Sequence, residues 1–231
     1  MQTLTVLSGG AAQGLFASIE AMFRDRHGCA IDGTFGAVGM MRAKLAEGHP
    51  ADVVVLTAAI LRDLAATGDV IAESVTDIGR VETAIAVRGD DPAPDVADAA
   101  ALKEALLGAD SVYFPDPVQA TAGIHFASVL ERLGIADALK SRLRTFPNGA
   151  AAMRALAAST ERRPIGCTQI TEILSTPGIR LIAPLPKGCD LATTYTAGVV
   201  ARSPNQAAAR ALIALLAGPD TEAIREKCGF T

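Results

Sequence analysis

The chain has 231 residues, of which 50% are hydrophobic, and a formal net charge of −4 at pH 7. This length is enough for one large domain or for two compact lobes of about 100 residues each. A nucleic acid or an anionic membrane surface would require a basic face, so neither is expected as a partner. Aromatic residues make up only 4% of the chain, which leaves few stacking surfaces for bases or sugars. A small ligand that is not a carbohydrate is therefore expected.

The cysteines are widely spaced and form no CxxC pair or Cys/His cluster; they are Cys29, Cys167, Cys189 and Cys228. We expect buried free thiols, no metal site and no cofactor. The first residues enter a β-rich segment directly, without a charged and apolar leader. The chain is thus expected in the cytoplasm, or in the periplasm if a leader has been removed. No window approaches the roughly 18 apolar residues of a membrane-spanning helix, so no membrane span is expected.

The first part of the chain alternates short apolar strands with helices. Strands are predicted at residues 3–7, 29–35 and 53–56, each followed by a helical pattern. Leu15, Ile19 and Phe23 recur at helical spacing after the first strand. The continuous apolar run at 53–56 is typical of a parallel strand covered on both faces. Alternation of this kind predicts an α/β fold with an open, mostly parallel sheet.

A second alternating set follows residues 81–87, a strand that we interpret as a crossing between two lobes. The later elements are predicted as helices near 99–107, 121–133 and 150–156, strands at 111–114, 164–169, 179–182 and 193–200, and a closing helix through 212–216. Ser203-Pro204 predicts the start of that closing helix, because proline suits the first helical position. We assign residues 1–82 and 192–231 to lobe 1 and residues 83–191 to lobe 2.

Glycine-containing turns precede several of these helices. They are Ser8-Gly9-Gly10, Phe35-Gly36-Ala37-Val38-Gly39, the segment 115–123, and Pro147-Asn148-Gly149. Such a turn lets the backbone come close to a ligand and directs the free N–H groups of the helix start towards it. In open parallel sheets, ligands lie beyond the carboxyl ends of the strands, where Ser8, Gly36 and Thr57 fall. The pattern predicts binding of an anion. Thr121 either caps its helix or offers its hydroxyl to the ligand.

These segments resemble the type-2 periplasmic solute-binding proteins, and most closely the molybdate-binding branch. The resemblance covers nearly the whole chain and rests on Thr5-Val6-Leu7 before the first turn, Phe35-Gly36-Ala37-Val38-Gly39, Pro50-Ala51-Asp52-Val53, Pro115-Asp116-Pro117 with Gly123, and the closing Gly218-Pro219 and Cys228-Gly229-Phe230. It implies a two-lobed α/β fold with a ligand cleft between the lobes. It also implies an ABC permease as partner if the chain is exported.

The resemblance implies a set of ligand-binding residues: Ser8, Gly9, Gly10, Ala37, Val38, Thr57, Thr121, Asn148, Gly149 and Gln169. The chain departs from the family pattern at three of these positions. Gly10 and Val38 stand where the molybdate branch has hydroxyl side chains, and Gln169 stands near the position of a cleft-closing tyrosine. A dehydrated oxyanion would lose about 1–3 kcal/mol for each hydrogen bond left unmade. We therefore expect a small anion other than molybdate, such as an organic carboxylate.

An enzyme is the alternative, because aconitate-isomerase-like enzymes resemble the same branch and move a proton along a short polycarboxylate without cofactor or metal. Proton transfer requires a positioned acid or base. The turns contain no obvious one, and the catalytic residue is therefore unknown. His125, near the start of its helix, and Asp116, in the loop before it, are the candidates.

Overall fold

The structure is a computed structural model that describes residues 2–231. It contains two compact units. Unit 1 comprises the described residues up to Val81 together with Thr193–Thr231, and unit 2 comprises Glu82–Ala192. Each unit is described by itself below.

The strands are β1 (Gln2–Gly9), β2 (Cys29–Gly36), β3 (Val53–Thr57), β4 (Thr76–Arg88), β5 (Ser111–Pro115), β6 (Leu143–Phe146), β7 (Pro164–Gln169), β8 (Ile179–Pro184) and β9 (Ala192–Val199). The α-helices are α1 (Gln13–His27), α2 (Val38–Ala46), α3 (Ala58–Ala66), α4 (Ala99–Gly108), α5 (Thr121–Arg132), α6 (Ala136–Leu139), α7 (Gly149–Ala157), α8 (Ile170–Leu174), α9 (Gln206–Ala217) and α10 (Glu222–Lys227). None of the helices in residues 2–231 combines the length and apolar character needed to cross a membrane.

The sheet of unit 1 has the strand order β2-β1-β3-β9, with the first part of β4 beside β9. Strand β1 runs parallel to both of its neighbours, so that Gly9 lies opposite Gly36 and Ser8 lies opposite Val55. The carboxyl ends of β1, β2 and β3 consequently meet at one edge of the sheet. Strand β9 runs antiparallel to β3 and places Tyr195 opposite Thr57 at that edge.

Burial explains why these segments adopt the predicted elements. The side chains of Leu15, Ile19 and Phe23 on α1 are buried, as their spacing predicts. Helix α1 ends at Gly28, whose φ of 63° is in the left-handed region that favours glycine. All four apolar residues of β3 are buried. This agrees with a parallel strand covered on both faces.

The sheet of unit 2 has the order β4-β7-β5-β6, with β8 on the other side of β4. Strand β7 is antiparallel to β4 and parallel to β5. One face of this sheet, which we call the α5 face, packs Ile85 and Cys167 against Phe126 of α5. The opposite face, which we call the α7 face, packs Ala84 and Tyr113 against residues of α7. The chain passes between the units within β4 and near the start of β9.

The α/β fold class predicted from the alternation is confirmed. Two local predictions were wrong, the start of the closing helix and the burial of Cys228, and one of the two alternatives for Thr121 is ruled out. Helix α9 begins at Gln206 rather than at Pro204, because the Ser203 hydroxyl donates to Asp52 and accepts from the N–H of Asn205, which holds the segment in a turn. The N-cap of α5 is Ala120, so Thr121 is not the cap. Cys228 is only partly buried, whereas the other thiols are buried.

Candidate functional site

The end of β1 forms a close turn in unit 1. Ser8 is fully buried, and its hydroxyl donates a 2.9 Å hydrogen bond to the carbonyl of Gly9. Gly9 then begins a short 3-10 helix at Gly10–Ala12, which leads into α1, and no side chain caps this start. The N–H groups at this helix start therefore donate no hydrogen bond to a capping side chain.

The same situation recurs at the ends of β2 and β3. The N-cap of α2 is Ala37 and the N-cap of α3 is Thr57; both are extended, and neither helix start has a side-chain cap. Helix α4 shows the contrast, because Asp98 accepts hydrogen bonds from the N–H groups of Ala100 and Ala101. Uncapped starts expose N–H donors and the positive end of the helix dipole. In unit 1 they lie at the shared carboxyl edge of three parallel strands.

Gly9 allows close packing at this edge. A methyl group on Gly9 would lie 3.0 Å from a ring carbon of Tyr195 and 3.1 Å from a methyl of Val38. The branched side chain of Val38 and the aromatic ring of Tyr195 thus flank the first turn. The sequence identified Val38 but missed Tyr195, because its place beside Gly9 depends on the antiparallel register of β9. The apolar side chain of Val38 adds carbon surface next to the backbone donors.

In unit 2, the loop after β5 and the start of α5 hold three of the sequence candidates. Thr121 is the first residue of α5, whose start lacks a side-chain cap. Asp116 Oδ1 accepts hydrogen bonds from the N–H groups of Val118 at 2.7 Å and Gln119 at 2.9 Å. His125 Nε2 lies 2.7 Å from the carbonyl oxygen of Cys189. Asp116 therefore holds its own turn in place, whereas His125 contacts the backbone of a distant segment at Cys189.

The start of α7 is already satisfied within the chain. Asn148 caps the helix by accepting a 2.8 Å hydrogen bond from the N–H of Ala151. The carboxylate of Glu172 accepts from the N–H groups of Gly149 and Ala150. An atom beyond Cα on Gly149 would collide with the Glu172 carboxylate and the Thr168 hydroxyl. The sequence identified this turn as an anion-binding site, and in the structure an anionic side chain of the protein itself lies there.

Glu172 is a buried ionisable group of unit 2. Its side chain is only 5% exposed, and burial raises the pKa of its carboxyl group, although hydrogen bonds from Thr168 and from backbone N–H groups lower the pKa in part. The sequence did not single it out, because nothing in the pattern of α8 shows that its first turn packs on the start of α7. A buried carboxyl group with a raised pKa can hold a proton closer to neutral pH than an exposed one.

A second buried polar group lies on the α5 face. Gln169 ends β7 and lies directly opposite Thr83 of β4, so their side chains share one face of the sheet. By strand alternation this is the face that carries Ile85 and Cys167. Gln169 is 2% exposed and Thr83 is 1% exposed. Neither amide atom of Gln169 has a hydrogen-bond partner among the described residues. The hydroxyl groups of Thr83 and Thr171 also have none there.

Other features of the described chain are weaker candidates for a functional site. A cavity of about 300 Å³ in unit 2 is lined by Arg162, Arg163 and Pro164. It therefore lies at the amino end of β7, whereas Gln169 lies at the carboxyl end of that strand. Burial raises the pKa of the Cys167 and Cys189 thiols, which favours the unreactive thiol form. Within residues 2–231, no group of three or more His, Cys, Asp or Glu side chains is placed to hold a metal ion.

Comparison with known proteins defines the class. Residues 4–231 match the family of bacterial extracellular solute-binding proteins. The chain belongs to this family, as the sequence resemblance predicted.

Individual relatives are more specific. The chain is 30% identical to an aconitate isomerase from a Pseudomonas species, over 99% of this chain and 87% of that protein. It superposes on the periplasmic molybdate-binding protein of Azotobacter vinelandii with a TM-score of 0.81 at 18% identity, covering 99% of this chain and 98% of that one. The sulfate-binding protein of Mycobacterium tuberculosis gives a TM-score of 0.77 at 17% identity, covering 100% and 86%. At such identities the two structures show the fold alone.

Proposed function

We propose that the chain is a solute-binding protein of the molybdate-binding type that takes a small anion other than molybdate, such as an organic carboxylate. In unit 1 the ligand residues are the backbone and side chains at the strand ends: Ser8, Gly9, Gly10, Ala37, Val38 and Thr57. In unit 2 they are Thr121 and Gln169. Asn148 and Gly149 contribute less, because nearby N–H groups are already used. Those of Gly149 and Ala150 donate to Glu172, and that of Ala151 donates to Asn148.

The observation that carries this proposal is the strand register of unit 1. It brings three uncapped starts, those at Gly9, Ala37 and Thr57, to one sheet edge. Each helix dipole near an anion contributes a few tenths to about 1 kcal/mol. Together with the backbone donors, they support an anion site on a chain whose net charge is negative.

The side chains at this edge support an organic ligand. Gly10 offers no hydroxyl, and Val38, with 6% exposure, presents methyl groups beside Gly9. An inorganic oxyanion accepts hydrogen bonds in every direction and gains little from such a wall. A carboxylate can direct its oxygens to the N–H groups and its carbon skeleton to Val38.

Thermal shift against a panel of anions tests the proposal. A ligand that binds only the folded chain stabilises it by about 2.7 kcal/mol at a concentration of 100 times its Kd. We expect a rise in Tm with at least one of citrate, cis-aconitate and trans-aconitate, and a smaller rise or none with molybdate, tungstate and sulfate. If no anion raises Tm, the proposal is wrong.

A cofactor-free isomerase of a small polycarboxylate is the second candidate. It is supported by the 30% identity to an aconitate isomerase and by the buried Glu172 with its raised pKa. General acid–base catalysis works best when the pKa of the group lies near the working pH. His125 and Asp116 remain the alternative acid–base groups.

Proton NMR in deuterated water tests the isomerase directly. The protein is incubated with cis-aconitate and, separately, with trans-aconitate. An isomerase that moves a proton will interconvert the two acids and incorporate deuterium at the exchanging carbon. If neither change exceeds that of a buffer control, this substrate class is excluded.

The match to the solute-binding family supports a proposal about location and partner. We propose that the chain works outside the cytoplasm, in the periplasm, and delivers its ligand to an ABC permease. Fractionation of the native host, with the chain detected by antibody, tests the location. A chain found only in the cytoplasm would argue against the transport role and in favour of the isomerase.

A further inference from the structure

The buried amide of Gln169 points to the chemical class of the ligand. An amide has a donor side and an acceptor side, Nε2–H and Oε1. Both atoms are buried, and neither has a hydrogen-bond partner among the described residues. Buried polar groups in folded proteins are nearly always hydrogen-bonded. The partner of Gln169 is therefore expected to come from outside the chain.

The neighbours of Gln169 strengthen this point. Thr83 lies directly opposite, and both backbone groups of Thr83 are already used, its N–H by the carbonyl of Leu191 and its carbonyl by the N–H of Leu185. Only its hydroxyl is left, and that hydroxyl has no partner in the described chain. Thr171, two residues after Gln169, likewise has an unpartnered hydroxyl.

The position of this group favours a ligand over a structural role. The α5 face is apolar through Ile85 and Cys167 and then changes to Thr83 and Gln169 at the carboxyl end of β7. Ligands of parallel α/β sheets lie beyond the carboxyl ends of the strands, and β7 runs parallel to β5. The polar pair thus lies where the fold places ligands.

An anion without an O–H group can satisfy only part of this polar group. Its oxygens accept hydrogen bonds from Nε2–H and from the threonine hydroxyls. They offer nothing to Oε1, which would remain buried beside negative charge. A ligand with an O–H group satisfies both sides of the amide, because that group donates to Oε1.

We propose that the ligand is an anion that also carries an O–H donor, which Gln169 and Thr83 recognise. This inference rests on the proposed anion-binding function and narrows it. Two sources share the chemistry: a hydroxycarboxylate, whose alcohol donates, and a hydrogen phosphate, whose protonated oxygen donates. Ionised carboxylates without a hydroxyl group, sulfate and molybdate lack the donor.

Isothermal titration calorimetry with matched pairs tests the inference. The pairs are citrate against tricarballylate, malate against succinate, and phosphate against sulfate, and in each pair the first member alone carries the extra O–H donor. A site built to bind a hydroxyl discriminates strongly against an analogue that lacks it. We expect a preference of about 10-fold or more for the first member of at least one pair.

Variants assign the preference to the amide. Gln169→Met keeps a similar length without polar atoms, and Thr83→Val keeps the shape of threonine without its hydroxyl. We expect Gln169→Met to reduce the preference to less than about 3-fold, with Thr83→Val reducing it in part. Gln206→Met, a glutamine replacement in α9 of unit 1, serves as the matched control and should leave the preference unchanged. Circular dichroism shows whether each variant folds. If Gln169→Met does not fold, the binding preference of Thr83→Val decides the test.

The outcomes separate the two proposals. If both members of each bound pair bind equally well, the inference is overturned while anion binding stands. A preference that survives in both variants would overturn the inference in the same way. Binding of none of the six anions or of the aconitates would overturn the proposed function itself.

Discussion

The hydroxyl of Thr168 donates a 2.6 Å hydrogen bond to Oε2 of Glu172 in the interior of unit 2. The same carboxylate accepts from the N–H groups that begin α7. Glu172 thus supplies from within the chain the negative charge that a helix start attracts. This arrangement distinguishes α7 from α2, α3 and α5, whose starts have no side-chain cap.

The buried position of Glu172 predicts a specific pH dependence of stability. Burial raises the native pKa of Glu172 above that of an exposed glutamate, about 4.3. Its contribution to stability is therefore fully present below pH ~4.3 and is lost as the pH rises through the native pKa. Glu172→Gln does not titrate, so the stability of the wild type minus that of the variant should decrease as the pH rises. Urea unfolding between pH 4 and pH 8 measures this difference.

Glu131→Gln, on the exposed surface of α5, is the control for this experiment. The same urea measurement on this variant gives the effect of removing a carboxyl group from the surface of unit 2. A Glu172→Gln difference that stays constant, or that grows as the pH rises, would contradict a raised native pKa.

The close contact at Gly149 predicts a large effect of a small substitution. A methyl group there meets both the Glu172 carboxylate and the Thr168 hydroxyl. We expect Gly149→Ala to lower the free energy of unfolding by about 1–3 kcal/mol, because the buried carboxylate must move. Gly108→Ala is the matched control at the end of α4, since nothing lies within 4 Å of the added methyl group. It should be neutral or stabilising by up to about 1 kcal/mol. Equal effects of the two variants would argue against the Glu172 contact.

Substitutions at Thr57 can separate the effect of a negative charge from that of a helix cap, because the start of α3 has no side-chain cap. Aspartate and asparagine both cap helices well, but only aspartate brings a negative charge. We expect Thr57→Asp and Thr57→Asn to keep or raise Tm. Anion binding should fall by about 10-fold or more in Thr57→Asp, and by less than about 3-fold in Thr57→Asn. Titration calorimetry with whichever anion binds the wild type measures both. Unchanged binding in Thr57→Asp would remove Thr57 from the ligand site.

The sequence predicted the parts of the fold that depend on local patterns. The apolar run of β3, the helical spacing of Leu15 and Ile19, and the turns at Gly9 and Gly36 are local features, and together they indicated α/β alternation with strand ends at one edge. The family followed from the order of such segments. Each of these features is visible within a few consecutive residues.

Features that depend on packing between distant segments could not be predicted. Thr83 faces Gln169 only because β4 pairs antiparallel with β7. Glu172 binds the start of α7 only because α8 packs there. The start of α9 was misplaced because the Ser203 hydroxyl binds Asp52, a residue of a distant segment. Where a polar side chain has two possible partners, tertiary contacts rather than the spacing of residues in the sequence decide which one it binds.

The central claim, that the chain binds a small organic anion in preference to molybdate, is tested most directly by titration calorimetry of the purified protein. Citrate, malate, both aconitates and molybdate are titrated separately into the same preparation at one pH and salt concentration. We predict saturable one-to-one binding of at least one organic anion, with molybdate at least about 10-fold weaker, because the missing hydroxyls leave molybdate short of hydrogen bonds. Tight binding of molybdate with no binding of any organic anion would contradict the claim.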